Sequence, residues 1–110
     1  MEFFLDKYEG KLIIKTENSN IFIPLSQIDY IKEGIIVKRF LKGFFTKNKD
    51  LLIGFFSNFG LNYLYYINIK EGFKIVTIKL KDFFINYLII SIPKDFFFLL
   101  KSLKEEHSYN

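Results

Sequence analysis

The chain has 110 residues, is 50% hydrophobic, and carries a net charge of +4 from 16 basic and 12 acidic side chains. That length fits one domain and leaves no room for two, and the apolar content excludes a disordered chain, which lacks the groups needed to offset ordering entropy. There is no cysteine, so a disulfide framework and a thiolate metal site are excluded, and a reducing compartment is compatible.

The aromatic content is high, with 15 Phe and 7 Tyr but no Trp. Phe, Ile, Tyr, Asn and Lys share AT-rich codons, which explains the composition without any function. A domain this small also cannot hide every ring, and surplus rings on a surface suit a partner, a second copy or a membrane.

In chain order, Met1 to Lys7 reads as a strand that turns at Tyr8-Glu9-Gly10-Lys11. It is not a secretory signal, because it lacks a basic start and a sustained apolar run; a cytoplasmic protein is expected, with association to a membrane surface left open. Lys11 to Thr16 is a second strand. Glu17-Asn18-Ser19-Asn20 is a turn, since short polar side chains hydrogen-bond to their own backbone there. Ile21-Phe22-Ile23 resumes the sheet until Pro24, which cannot donate to a ladder and so ends or edges its strand.

Leu25 to Lys32 suits either a short helical turn or a bent strand. Gly34 punctuates, Ile35 begins a β-branched run to Leu41, and Gly43 to Asp50 reads as a basic loop. Leu51 to Ile69 contains no charge and matches a spanning helix in length. It also holds Gly54, Ser57, Asn58, Gly60, Asn62 and Asn68, and its second half alternates with period two. The pattern predicts two strands joined by Ser57-Asn58-Phe59-Gly60. Glu71-Gly72 makes a tight turn, Phe73 to Lys81 alternates as a strand, and Ile85 to Ile92 is the last strand.

Pro93 suits a first helical turn. Asp95 complements the positive helix start, and Lys101 and Lys104 its end. Phe96, Leu99, Leu100 and Leu103 fall at i, i+3, i+4 and i+7, predicting an amphipathic helix with that stripe buried. The expected fold is therefore mainly β, of the α+β class: an antiparallel barrel or strongly bent sheet of about seven strands with one C-terminal capping helix. Residues 1–104 form the domain and 105–110 a polar tail.

This order resembles the bacterial pleckstrin-homology-like (PH-like) domains. The residues that carry the resemblance are Lys11-Leu12-Ile13-Ile14 through Ile21-Phe22-Ile23-Pro24-Leu25-Ser26-Gln27-Ile28, and Leu88-Ile89-Ile90-Ser91-Ile92-Pro93-Lys94-Asp95-Phe96 running to Leu100 and Leu103. Gly54, Gly60 and the Tyr63–Tyr66 strand are similar to the middle hairpin of such domains. The resemblance implies a lipid-binding, peptide-binding or oligomeric module. Phosphoinositide-binding members place several basic residues at the first loop, where this chain has only Lys11, with Lys15 beyond it and Glu9 opposing. Ile21 to Gly34 also resembles the opening of LytTR-type DNA-binding domains, but the basic, His-containing region expected later is missing.

An enzyme needs convergent titratable groups, and these are sparse. The one histidine, His107, lies in the expected tail beside Glu105 and Glu106 and reads as a solvated side chain, not a metal ligand. Asp29 and Glu33 would share a helical face without a nucleophile or base. Ser26, Ser57, Ser91 and Ser102 have no histidine nearby in sequence, and Gly54-x5-Gly60 lacks the lysine of a phosphate loop. No catalytic residue, metal, cofactor or small-molecule substrate is expected.

Two surfaces are candidates. Lys38, Arg39, Lys42, Phe44, Phe45, Lys47 and Lys49 combine five cations with rings before the first acid, Asp50. Cations attract phosphate, and exposed Phe inserts into a membrane interface or stacks on bases. Phe97 and Phe98 lie outside the predicted helical stripe; they either widen its buried face or offer a contact to a second copy. A protein partner or homo-oligomer comes first, anionic lipid second, nucleic acid third and catalysis last.

Overall fold

The computed structural model describes residues 2–17, 19–34, 51–58, 61–68 and 70–107. Their order is β1 (Glu2–Asp6), β2 (Lys11–Lys15), β3 (Asn20–Pro24), a 3-10 turn (Leu25–Gln27), β4 (Ile28–Glu33), β5 (Leu51–Asn58), β6 (Leu61–Asn68), β7 (Phe73–Leu80), β8 (Tyr87–Pro93) and α1 (Lys94–His107). The strands make a three-stranded sheet, β1-β2-β3, and a five-stranded sheet, β4-β7-β8-β6-β5. The expected mainly β, α+β class holds. The barrel does not: the two sheets are not closed on each other, and α1 packs across them.

Local chemistry explains the small sheet. The Asp6 carboxylate accepts the backbone N–H groups of Tyr8 and Glu9 at 3.0 and 3.1 Å, which fixes the β1–β2 turn. The Thr16 hydroxyl donates to the Ser19 carbonyl at 2.8 Å and accepts the Ser19 N–H at 3.0 Å, which fixes the β2–β3 turn. Pro24 ends the outer strand β3 as expected, and the 3-10 turn and β4 divide the stretch that was ambiguous between helical turn and strand. The charge-free stretch forms the hairpin β5–β6. Among the described residues, no helix is long and apolar enough to cross a membrane.

The large sheet departs from an antiparallel array. β8 pairs antiparallel with β7 but parallel with β6, and it lies between them. The Glu71-Gly72 turn therefore does not close a hairpin between neighbours; it carries the chain past the end of β8. Gly72, at φ +84°, adopts a left-handed conformation that side-chain-bearing residues resist, and its carbonyl accepts the Lys94 N–H at 3.2 Å. The turn thus ties the start of β7 to the start of α1.

The core forms where α1 covers the face bearing Leu64, Val76, Ile78, Leu88, Ile90 and Ile92, against Leu12, Ile14 and Ile23 of the small sheet. Phe97, Leu100 and Leu103 are buried, whereas Leu99 is 39% exposed and Phe96 only half-buried. The buried stripe is thus rotated from the predicted one. At about 100° per residue, Phe97 and Leu103 each lie about 60° from Leu100, and Leu99 lies about 100° away at the margin. The helix continues through Glu105 and Glu106 to His107, where a frayed tail was expected; Lys and Glu are good helix formers.

Candidate functional site

Lys38, Arg39, Lys42, Phe44, Phe45, Lys47 and Lys49 lie outside the described residues. The Phe97–Phe98 pair is split. Phe97 is 4% exposed and belongs to the core, so it presents no contact surface, while Phe98 is 60% exposed. Consecutive residues differ by about 100° around a helix, which carries Phe98 to the side opposite Leu100.

A cleft opens where β1 meets one end of the large sheet. It has a volume of about 380 Å³ and is lined by Glu2, Phe3, Phe4, Tyr66, Phe73, Ser91, Pro93 and Phe96. The topology explains this gathering. Tyr66 is near the end of β6, Phe73 opens β7, Pro93 closes β8 and Phe96 sits in the first turn of α1; because β8 lies between β6 and β7, parallel to one and antiparallel to the other, all four come to one end of the large sheet. Phe3 lies edge-on to Tyr66 at 5.8 Å between ring centroids and 6.5 Å from Phe96. Lys15 stands 5.1 Å over the Phe4 ring and Lys70 5.7 Å over the Phe73 ring, so ammonium groups border rings in this wall. β1, the near wall, is one of the two outer strands of its sheet.

A second groove of about 210 Å³ runs between β4 and α1, lined by Asp29, Tyr30, Ile31, Lys101, Lys104 and Glu105. The Tyr30 phenol is pushed above its ordinary value, first by burial, then by the Tyr87 phenol and the Asp29 carboxylate. Its ring carries the Lys32 ammonium at 4.8 Å.

Asp29 and Glu33, which the helical alternative would place on one face, sit on β4 and meet different lysines: Asp29 lies 3.6 Å from Lys79, and Glu33 2.8 Å from Lys74. Lys74 and Lys101 also hold their ammonium groups 5.6 and 5.3 Å from the Phe97 ring centroid. The hydrogen bond and charge of Lys74, helped by Lys94 and Lys101, hold the Glu33 carboxyl below its ordinary value. A lowered folded pKa gives stability that is present above the ordinary glutamate range and is lost as pH falls through the folded value. Wild type is therefore expected to melt above Glu33→Gln at neutral pH, with the gap closing on acidification. Parallel melting curves at every pH would show that the pair contributes nothing.

Among the described residues, no three His, Asp or Glu side chains form a metal-holding group. Ser91 is buried and lines the aromatic cleft; Ser26 and Ser102 are exposed. Of the cleft rings, the sequence places Phe96 in a buried helical stripe and marks none of Phe3, Tyr66, Phe73 and Phe96 as a site residue, since no local pattern separates rings that line a cleft from rings that fill a core. No family model, curated protein or solved structure matches the chain.

Proposed function

We propose that the chain is a non-catalytic interaction module that docks an extended segment of a protein partner in the aromatic cleft beside β1. The observation that carries this reading is the combination of five rings, Phe3, Phe4, Tyr66, Phe73 and Phe96, with an outer strand as one wall. An outer strand offers backbone N–H and C=O groups to an added strand, and pockets beside it select alternate side chains of the added segment. Rings supply large contact area at low entropic cost, which is why they dominate the binding energy of interfaces. The PH-like resemblance, a family with peptide-binding members, agrees in the order of its elements: sheets first, helix last.

The test is selection of a displayed library of unstructured peptides, followed by titration of a selected peptide into isotope-labelled protein. Chemical shifts are expected to move at Phe3, Tyr66, Phe73 and Phe96, and Phe73→Ala is expected to weaken binding about tenfold or more. A library that yields no binder, or a binder indifferent to Phe73→Ala, overturns the reading.

A second reading rests on charge. Taking Lys38, Arg39, Lys42, Lys47, Lys49 and Asp50 from the totals of 16 basic and 12 acidic residues leaves 11 of each sign. The whole positive excess thus belongs to one segment that also contains Phe44 and Phe45, which suits attraction to anionic lipid. Flotation with anionic but not neutral vesicles, lost at high salt and in Lys42→Glu plus Lys47→Glu, supports peripheral membrane binding. Equal flotation of that variant rejects it. The same salt dependence with a nucleic acid in place of vesicles would favour the third reading.

A further inference from the structure

We infer that the outer face of the three-stranded sheet is a self-association surface whose partner is a second copy of this chain. The face shares Glu2 and Phe4 with the rim of the cleft, whereas Ile13 and Lys15 do not line it, so variants at those two positions separate the inference from the cleft.

In β1–β2–β3 the rows facing away from the core are Glu2–Lys15–Asn20, Phe4–Ile13–Phe22 and Asp6–Lys11–Pro24. Their alternates, Phe3–Ile14–Ile21 and Leu5–Leu12–Ile23, pack in or against the core. The outer face thus carries an apolar middle row flanked by polar ones. Phe4 is 41% and Phe22 51% exposed, an aromatic stripe left in water by the folded monomer.

The columns select the partner. β1 presents two carboxylates, Glu2 and Asp6, and β2 two ammonium groups, Lys11 and Lys15, opposite them row by row. A two-fold axis lying parallel to the strands, midway between β1 and β2, places β1 of each copy over β2 of the other. Glu2 then meets Lys15 of the second copy, Asp6 meets Lys11, and Phe4 meets Ile13, with every contact made twice. The face is its own electrostatic complement, as an isologous contact requires. An in-plane axis perpendicular to the strands would instead set Glu2 against Asp6, and like charges oppose it. Stacked sheets cross at about 30°. Over strands of five residues this shifts the outer rows by about 3 Å, less than the strand spacing of about 4.8 Å, so the pairing survives.

Within the monomer Lys11 is bound to Glu9 at 2.9 Å, and Asp6 holds the β1–β2 turn. Lys15 holds its ammonium over the Phe4 ring at 5.1 Å, where it is still presented on the outer face, so Glu2 and Lys15 are the pair to test. The face is narrower than the roughly 800 Å² per partner of a standard interface, so the dimer is weak and concentration-dependent.

The experiment is sedimentation velocity of the full chain from about 10 μM to about 1 mM at low and high salt, a range spanning weak dimer affinities. Wild type is expected to dimerise with rising concentration. Glu2→Lys alone and Lys15→Glu alone are each expected to weaken this about tenfold or more, because each sets like charges together twice. Mixing the two variants is expected to restore association, since both contacts then join opposite charges. Ile13→Ser is expected to be monomeric, because Ile13 meets Phe4 of the second copy, with Phe98→Ser unchanged. A monomeric wild type, a mixture that stays monomeric, or dimerisation lost through Phe98→Ser but kept in Ile13→Ser overturns the inference. Peptide binding in the cleft is measured on Lys15→Glu and Ile13→Ser, whose positions do not line it; its loss or survival there reports on the cleft and leaves the association result standing on its own.

Discussion

Phe97→Ala is expected to destabilise the fold by about 3–5 kcal/mol, whereas Phe98→Ala changes it by no more than about 0.5 kcal/mol. The residues are chemically identical and adjacent, so composition and propensity predict no difference. The structure separates them. Phe97 is buried against the large sheet, beside Leu100 and beneath the ammonium groups of Lys74 and Lys101; Phe98 faces out. Removing the Phe97 ring forfeits its transfer free energy, leaves a cavity and strips two cations of their aromatic partner. Chemical denaturation of both variants measures the contrast. Equal losses would mean that both rings are buried, and near-neutral effects in both would mean that α1 does not pack as described.

The second large effect concerns β8. Ile89→Ala and Ile90→Ala are both expected to cost about 2–5 kcal/mol, lowering the melting temperature by roughly 10 °C or more. A sheet with one wet face would give this for only one of two consecutive residues, because their side chains point to opposite faces. In β8 both are fully buried, Ile90 in the core under α1 and Ile89 on the other side, alongside buried Ser91 and Thr77. β8 also has a strand on each flank, so its backbone and both faces are withdrawn from water. Thermal melts of the two variants test this directly; an Ile89→Ala variant that melts like wild type would place that face in solvent.

The β8 run shows what sequence reasoning saw and missed. Leu88-Ile89-Ile90 does not alternate, and an unbroken apolar run marks a strand covered on both faces, as parallel-paired strands commonly are. That signal was present, but it does not say which strand lies beside it. The Glu71-Gly72 turn suggested neighbours in a hairpin, and only packing decided that β8 enters between β6 and β7. The aromatic cleft exists because of that insertion, since it brings Tyr66, Phe73, Pro93 and Phe96 to one end. These residues are 66, 73, 93 and 96 in the chain, and no local pattern distinguishes rings that line a cleft from rings that fill a core.

The helix makes the same point on a smaller scale. Its start near Pro93, expected in the first turn and found as the last residue of β8 just before it, and its amphipathic period were legible, because they depend on the missing N–H of proline and on residues within two turns of each other. Its rotation was not. Phe96-Phe97-Phe98-Leu99-Leu100 offers apolar residues on nearly every side, so several stripes satisfy the period equally. The β2–β3 turn, the end of β3 at Pro24 and the resolution of the charge-free stretch into two strands were also legible in sequence. Each is set by interactions a few residues long: Thr16 with Ser19, proline with its own ring, alternation with the pleat. Local interactions along the chain therefore specify the α+β class and the order of the elements among the described residues; the Ile35–Leu41 run and the Gly43–Asp50 loop lie outside them. Packing alone selects the open pair of sheets, the parallel pairing of β6 with β8, which of two adjacent phenylalanines is buried, and where the surplus rings gather. Those outcomes turn on contacts between residues distant in the chain, where burial, not local propensity, selects among arrangements of similar local energy.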